Sequence, residues 1–207
     1  MKIFEFVQKS AKTAIYPNRG AFGGLTYIIG GLVGETGELF EVLKKTLRDN
    51  DGQFNPIVVD RVMKEAGDVL WYWSQFLFET NTEFITDDDT DADEFQAKIY
   101  EKYLGINIRP ALNDPSMIFQ QQFLLDSVLQ AVAKINHLIV MVRSEEDFVK
   151  ISDELSELSV AIFRGLCLFL ANIYIDVGDV MQMNLDKLSA RMDAGKIQGD
   201  GEELSDR

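Results

Sequence analysis

A chain of 207 residues, 46% hydrophobic and 26% charged, is long enough for a sizeable core and has a globular rather than a disordered balance. Its formal net charge of -14 excludes nucleic-acid polymers and anionic membranes as partners, and admits a small phosphorylated ligand only where metal ions screen the approach. The single cysteine, Cys167, excludes an intrachain disulfide and fits a reducing, cytoplasmic setting.

Helical signals dominate in chain order, and strand-like alternation is nearly absent. MKIFEFVQKSAKTA has charges scattered through it and no apolar core of signal-peptide type. It predicts a first helix over about residues 2–14, followed by a turn at YPNRG, Tyr16 to Gly20. A second helix is expected from about Gly23 to Arg48, with Leu25, Ile28, Ile29, Leu32, Leu39 and Leu43 at helical spacing, until DNDGQ breaks the chain. Asn55-Pro56 reads as an N-cap with Pro at the first helical position, opening a third helix to about Thr80. TDDDTDADE, Thr86 to Glu94, is a charge run without apolar period and reads as a solvated linker. Asp114-Pro115 opens a long helix from about Ser116 to Arg143, and Ser144 with Asp147 forms a capping box for the next, to about Ile175. VAIFRGLCLFLANIYIDV is interrupted by Arg164, too short to span a bilayer, and reads as a buried helix. A last helix covers about Gly178 to Met192, and GKIQGDGEELSDR is a loose tail.

These elements predict an all-α helical bundle, divided as 1–85 with an acidic site, 86–114 as acidic linker and connector, 115–194 as a second half, and 195–207 as tail. The halves are faintly alike. At a shift of 92 residues Leu32 falls on Leu124, Leu43 on Ile135, Met63 on Leu155, Leu70 on Ile162, Trp71 on Phe163 and Leu77 on Phe169. A tandem duplication is the expectation, with a plain insertion as the alternative.

Four carboxylates carry the functional signal. Glu35 and Glu38, and Glu65 and Asp68, are two pairs spaced i, i+3, so each pair shares a helix face. If the two helices pack antiparallel, the pairs meet, and four acids on otherwise apolar faces need a compensating charge. Hard divalent cations with oxygen ligands provide it, Mg²⁺ foremost. At the shift of 92 the acids fall on Ser127, Gln130, Glu157 and Val160, so only the first half keeps the set. Asn184, Lys187 and Arg191 share one face of the last helix, beside the apolar stripe Met181, Leu185, Leu188 and Met192.

Taken together, TAIYPNRG, GLVGETGELFEVLKKTLRD, KEAGDVLWYW and NLDKLSARMDAGKIQGDG resemble the MazG-type nucleoside triphosphate pyrophosphohydrolases, whose motif is E-x-x-E, a variable spacer, then E-x-x-D. The matching segments cover residues 11–78 and 184–201. The resemblance implies an all-α, Mg²⁺-dependent enzyme, with Mn²⁺ as a substitute, that splits a nucleoside triphosphate into monophosphate and pyrophosphate by attack at the α-phosphate. It implies Glu35, Glu38, Glu65 and Asp68 as metal ligands, one of which alternatively orients the water as a base. Asn184, Lys187 and Arg191 would contact the triphosphate, with Lys45 and Arg48 as further phosphate candidates. Trp71 and Tyr72, just past Asp68, would stack on the base, with a core position for Trp71 at least as good a reading. Short members place the Asn-Lys-Arg helix soon after E-x-x-D. Here it follows the second half, so the expectation is a composite site. The rival readings are a related all-α dUTPase or dCTPase and a non-catalytic nucleotide- or metal-binding regulator. Short members form dimers or larger even-numbered oligomers; a duplicated chain mimics a dimer, leaving both a monomer and a further homodimer open.

Other signals lead elsewhere. The glycine-rich GGLTYIIGGLVGETG lacks a P-loop's Lys-Ser/Thr, and Gly30, Gly34 and Gly37 on one face predict close helix approach. A lone His137 rules out a Glu-x-x-His di-iron site. Cys167 reads as a small buried hydrophobe and the seven methionines as core filling.

Overall fold

The computed structural model describes residues 1–82, 90–104, 117–142 and 144–196. Within them the chain is all-α, with one isolated bridge between Lys2 and Asp91. The order is α1 (Ile3–Ser10) running into a 3-10 turn (Ala11–Thr13), α2 (Phe22–Asp49), α3 (Pro56–Thr80), α4 (Ala92–Leu104), α5 (Met117–Met141), α6 (Glu145–Asn172) and α7 (Val177–Asp193). The expected helix ends lie within a few residues of these. The Asp114-Pro115 start, Ser116, Arg143, much of the charge run and the tail beyond Lys196 fall outside the described residues.

Local chemistry accounts for the boundaries. The Asn55 side chain accepts from the amides of Ile57 and Val58, both at 3.0 Å, with Pro56 needing no partner at the first helical position. Ser144 Oγ accepts from the Asp147 amide at 3.1 Å. Asp51 (φ 49°) and Gly52 (φ 75°) turn the chain out of α2, and Asn81 (φ 49°) ends α3 in the left-handed conformation that Asn tolerates.

Two long hairpins, α2 with α3 and α5 with α6, form the body, and α2 packs on α5. α7 lies along α3, and α4 lies against α6 and α7. The core joins both hairpins. Trp73 is fully buried, stacks on Phe163 at a centroid distance of 4.7 Å, and donates its indole N–H to the Ser159 carbonyl at 3.0 Å. Shifted by 92 residues, Asp49 and Thr80, the ends of α2 and α3, fall on Met141 and Asn172, the ends of α5 and α6. That coincidence fits a duplicated hairpin.

Several expectations need correction. The linker expected over 86–114 contains α4, whose Ala92 is fully buried. Gln96 clamps α4 to α6 and to the α6–α7 turn, donating to the carbonyls of Cys167 (3.1 Å) and Ile175 (2.9 Å) and accepting from the Val177 amide (3.0 Å). Part of the charge run is structural too. Asp91 caps α4 through the amides of Asp93 and Glu94 and pairs with the Met1 ammonium at 3.2 Å, while Asp93 accepts from the Gly178 amide at 2.7 Å. Carboxylates that bind backbone amides are held, not merely solvated. Met141 and Met192 are exposed rather than core filling. α5 is long and apolar enough over Gln120–Met141 to cross a bilayer by length and composition, with one third of its apolar window buried.

The glycine face is the clearest reversal. A Cβ added at Gly30, Gly34 or Gly37 meets nothing within 4 Å among the described residues, so no described helix packs closely on them. Close approaches near the acids lie instead at Gly31, where a Cβ would run into the Tyr72 ring, and at Gly67, 3.1 Å from Asn184 Cβ. An exposed helix glycine costs backbone entropy without a packing gain. Gly34→Ala is therefore expected to stabilise the fold by about 0.5–1 kcal/mol, read as a raised urea midpoint at unchanged m-value.

Candidate metal and nucleotide site

α2 and α3 run side by side with Glu35 and Glu38 on one and Glu65 and Asp68 on the other. One oxygen each from Glu35, Glu38 and Glu65 lies within 4.8 Å of the others. Glu38 is exposed, while the other three acids are half-buried. Burial, then the charges of Asp68, Glu38 and Glu65, push the Glu35 carboxyl up to about 7. Burial, then Glu38 and Asp68, likewise raise Glu65. Crowded carboxylates with raised pKa values are what an acidic cluster shows before a cation compensates it. All-oxygen donors of this hardness fit Mg²⁺ or Mn²⁺ rather than a soft metal.

The fourth acid is engaged differently. Asp68 accepts from Lys187 Nζ on both oxygens, at 2.5 and 2.6 Å, and from Asn184 Nδ2 at 2.9 Å. Two of the three predicted residues of the last helix thus contact a predicted acid across a separation of more than a hundred residues. α7 can lie this close because residue 67 is glycine, facing Asn184 without a side chain. Asn184 is 2% exposed, and its Oδ1 has no partner among the described residues.

A pocket of about 410 Å³ opens beside the acids. Glu35, Asp68, Leu188 and Arg191 line it together with Tyr16, Tyr27, Trp71 and Tyr72. Tyr16 and Tyr27 stack at 5.4 Å, and Trp71 meets Tyr72 edge-on at 4.9 Å. Hydrogen bonds fix two rings: Trp71 donates to Thr13 Oγ1 at 2.9 Å, and the Tyr16 hydroxyl donates to Glu79 at 2.5 Å. Burial and the Tyr27 hydroxyl push the Tyr72 phenol well above its ordinary value, so it stays neutral. Trp71 is half-buried on this wall, and Trp73 is the core tryptophan.

Lys45 and Arg48 are not brought to this pocket. Lys45 pairs with Glu41 at 3.2 Å and Arg48 with Asp49 at 2.6 Å, on the exposed end of α2. The residues that sequence reasoning passed over are Tyr16, Tyr27 and Gly67, whereas Tyr72 is already a stacking candidate in the sequence beside Trp71. A spacing signal places Tyr27 with it. Tyr27, Gly31 and Glu35 follow i, i+4, i+8 on α2, and Tyr72 is i+4 from Asp68 on α3, so each ring shares its helix face with an acid. In the second hairpin two of the counterpart side chains bond locally: Ser127 donates to the Leu124 carbonyl, and Gln130 to Asp126.

Over 69 residues the chain is 45% identical to the Gene 37 protein of Mycobacterium phage L5, covering 32% of this chain and 60% of that relative. The chain therefore spans less than two thirds of the length of the curated relative it matches. No family model and no solved structure matches the chain.

Proposed function

We propose that this chain is a divalent-cation-dependent nucleoside triphosphate pyrophosphohydrolase of MazG-like type, releasing monophosphate and pyrophosphate. One observation carries the reading: the three-glutamate cluster and an aromatic-walled pocket are contiguous through Glu35 and Asp68, with Lys187 and Arg191 beside them. A metal site alone would not need aromatic walls, and a base-stacking pocket alone would not need four acids.

Each group then has a task. Glu35, Glu38, Glu65 and Asp68 hold the cation, Mg²⁺ or Mn²⁺. When bound, such an ion polarises the phosphoryl group and makes hydroxide available near neutral pH. Lys187 and Arg191 supply cationic donors to phosphate oxygens, Arg191 with the planar fork suited to them. Trp71, Tyr72 and Tyr27 offer faces on which a base stacks, an interaction that tolerates every base. Asn184 keeps α7 in register against Asp68.

The test is product analysis across a panel of ribo- and deoxyribonucleoside triphosphates with Mg²⁺, wild type beside Glu38→Ala. Monophosphate plus pyrophosphate from wild type alone is the expected result. Turnover confined to dUTP or dCTP would instead assign the related all-α dUTPase or dCTPase activity. Mg²⁺-dependent stabilisation with no turnover would replace the enzyme with a binding protein.

A further inference from the structure

We infer that Lys187 is an internal counter-ion that withholds Asp68 from the cation site until a triphosphate arrives, so that the chain alone takes up one divalent cation and gains a second only with nucleotide. This rests on the nucleotide reading of the site and assigns the order of its loading.

The argument begins with who holds Asp68. Three glutamates have oxygens near enough to share an ion, and Asp68 is outside that trio. Both of its oxygens are occupied by one ammonium, and one of them also by the Asn184 amide. The pair is about a quarter exposed on each side, so water screens it less than a surface ion pair. Four carboxylates and one ammonium sum to about -3, and one divalent cation on the glutamates leaves about -1. A second ion would have to displace Lys187 from both oxygens of Asp68 while the neighbouring glutamates are already engaged by the first ion. A triphosphate changes that balance, since it brings about four negative charges and offers Lys187 a new partner.

The placement of Lys187 allows the exchange. It lies on α7 one turn from Arg191, which lines the pocket with Asp68, so a change of side-chain rotamer carries Nζ from the carboxylate towards a phosphate in that pocket. Asn184 is the second observation at this spot. It is buried, it touches Asp68 with its amide nitrogen, and its carbonyl oxygen has no partner among the described residues, leaving an oxygen donor unused on the side chain that holds the carboxylate.

Mn²⁺ counting by electron paramagnetic resonance on the full chain tests this, with and without non-hydrolysable α,β-methylene deoxynucleoside triphosphates. Wild type should bind one Mn²⁺ per chain alone and two with the analogue. Lys187→Met should bind the second without analogue, with affinity raised about tenfold or more, and should hold the analogue more weakly. Asp68→Asn should keep the first ion within about twofold and lose the analogue-dependent second. Wild-type stoichiometry in Lys187→Met, or two ions on the wild type without nucleotide, would overturn the counter-ion role and leave the metal site standing. No Mn²⁺ on wild type under any condition would overturn the proposed function along with it.

Discussion

If the proposed function holds, Glu35→Gln is expected to lower triphosphate turnover by about a hundredfold or more, because in that reading it removes an anionic metal ligand and not merely an outer partner. The same change is expected to make the cation-free fold more stable above pH 7. The Glu35 carboxyl sits at about 7 in the fold against 4.5 ordinarily, raised by burial and by its three acidic neighbours. Below about pH 4.5 it is protonated in both the folded and the unfolded chain and costs nothing. Between 4.5 and 7 the folded chain keeps a proton that the unfolded chain releases, so stability falls as pH rises, and the penalty is complete above 7. Glu35 is only half-buried, and solvent screening reduces the penalty to about 1–2 kcal/mol. Urea midpoints at pH 5 and pH 8 in the presence of a chelator would read it. Wild type should lose stability between the two and regain it with Mg²⁺, whereas Glu35→Gln should change less on both counts. Equal pH profiles for the two proteins would show that Glu35 does not feel the field attributed to it.

Trp73→Ala is expected to cost about 3–5 kcal/mol, the usual range for deleting a fully buried aromatic side chain. The residue is 0% exposed, stacks on Phe163 and donates to the Ser159 carbonyl, so its loss opens a cavity between the hairpins and removes a buried hydrogen bond. Its effect reaches the site because α3 carries Glu65 and Asp68 and must lie on both α2 and α7. Denaturant unfolding at pH 7 measures the loss. A change of less than about 1 kcal/mol would mean that the hairpins are not coupled through this ring.

The helices of the first half are legible because their signals are local. Asn55 caps, Pro56 starts, Asp51 and Gly52 break, and an apolar residue recurs every three or four positions, each acting within a turn or two of chain. The acid pairs are legible for the same reason: an i, i+3 spacing puts both members on one face of whichever helix contains them. Element α4 is less so, because it falls inside the stretch that reads as linker and connector. What holds α4 is Gln96 bonded to a turn some eighty residues further along, and no local pattern announces such a partner. The glycines of α2 show the same division. Composition marks them, but whether a neighbour fills the space above Gly31 or leaves Gly34 open depends on where α3 and α5 lie.

The sequence by itself determined the all-α class, the span of most helices and the facing of two acid pairs, because helix propensity, capping and periodicity act over a few residues. Only the tertiary structure decided that three glutamates converge while Asp68 pairs with Lys187, that Tyr16, Tyr27, Trp71 and Tyr72 close a pocket beside them, and that Lys45 and Arg48 stay outside. Those outcomes depend on the rotation and offset of whole helices against one another. That geometry is set by side-chain packing between residues distant in the chain, and it leaves no trace in the spacing of any single segment.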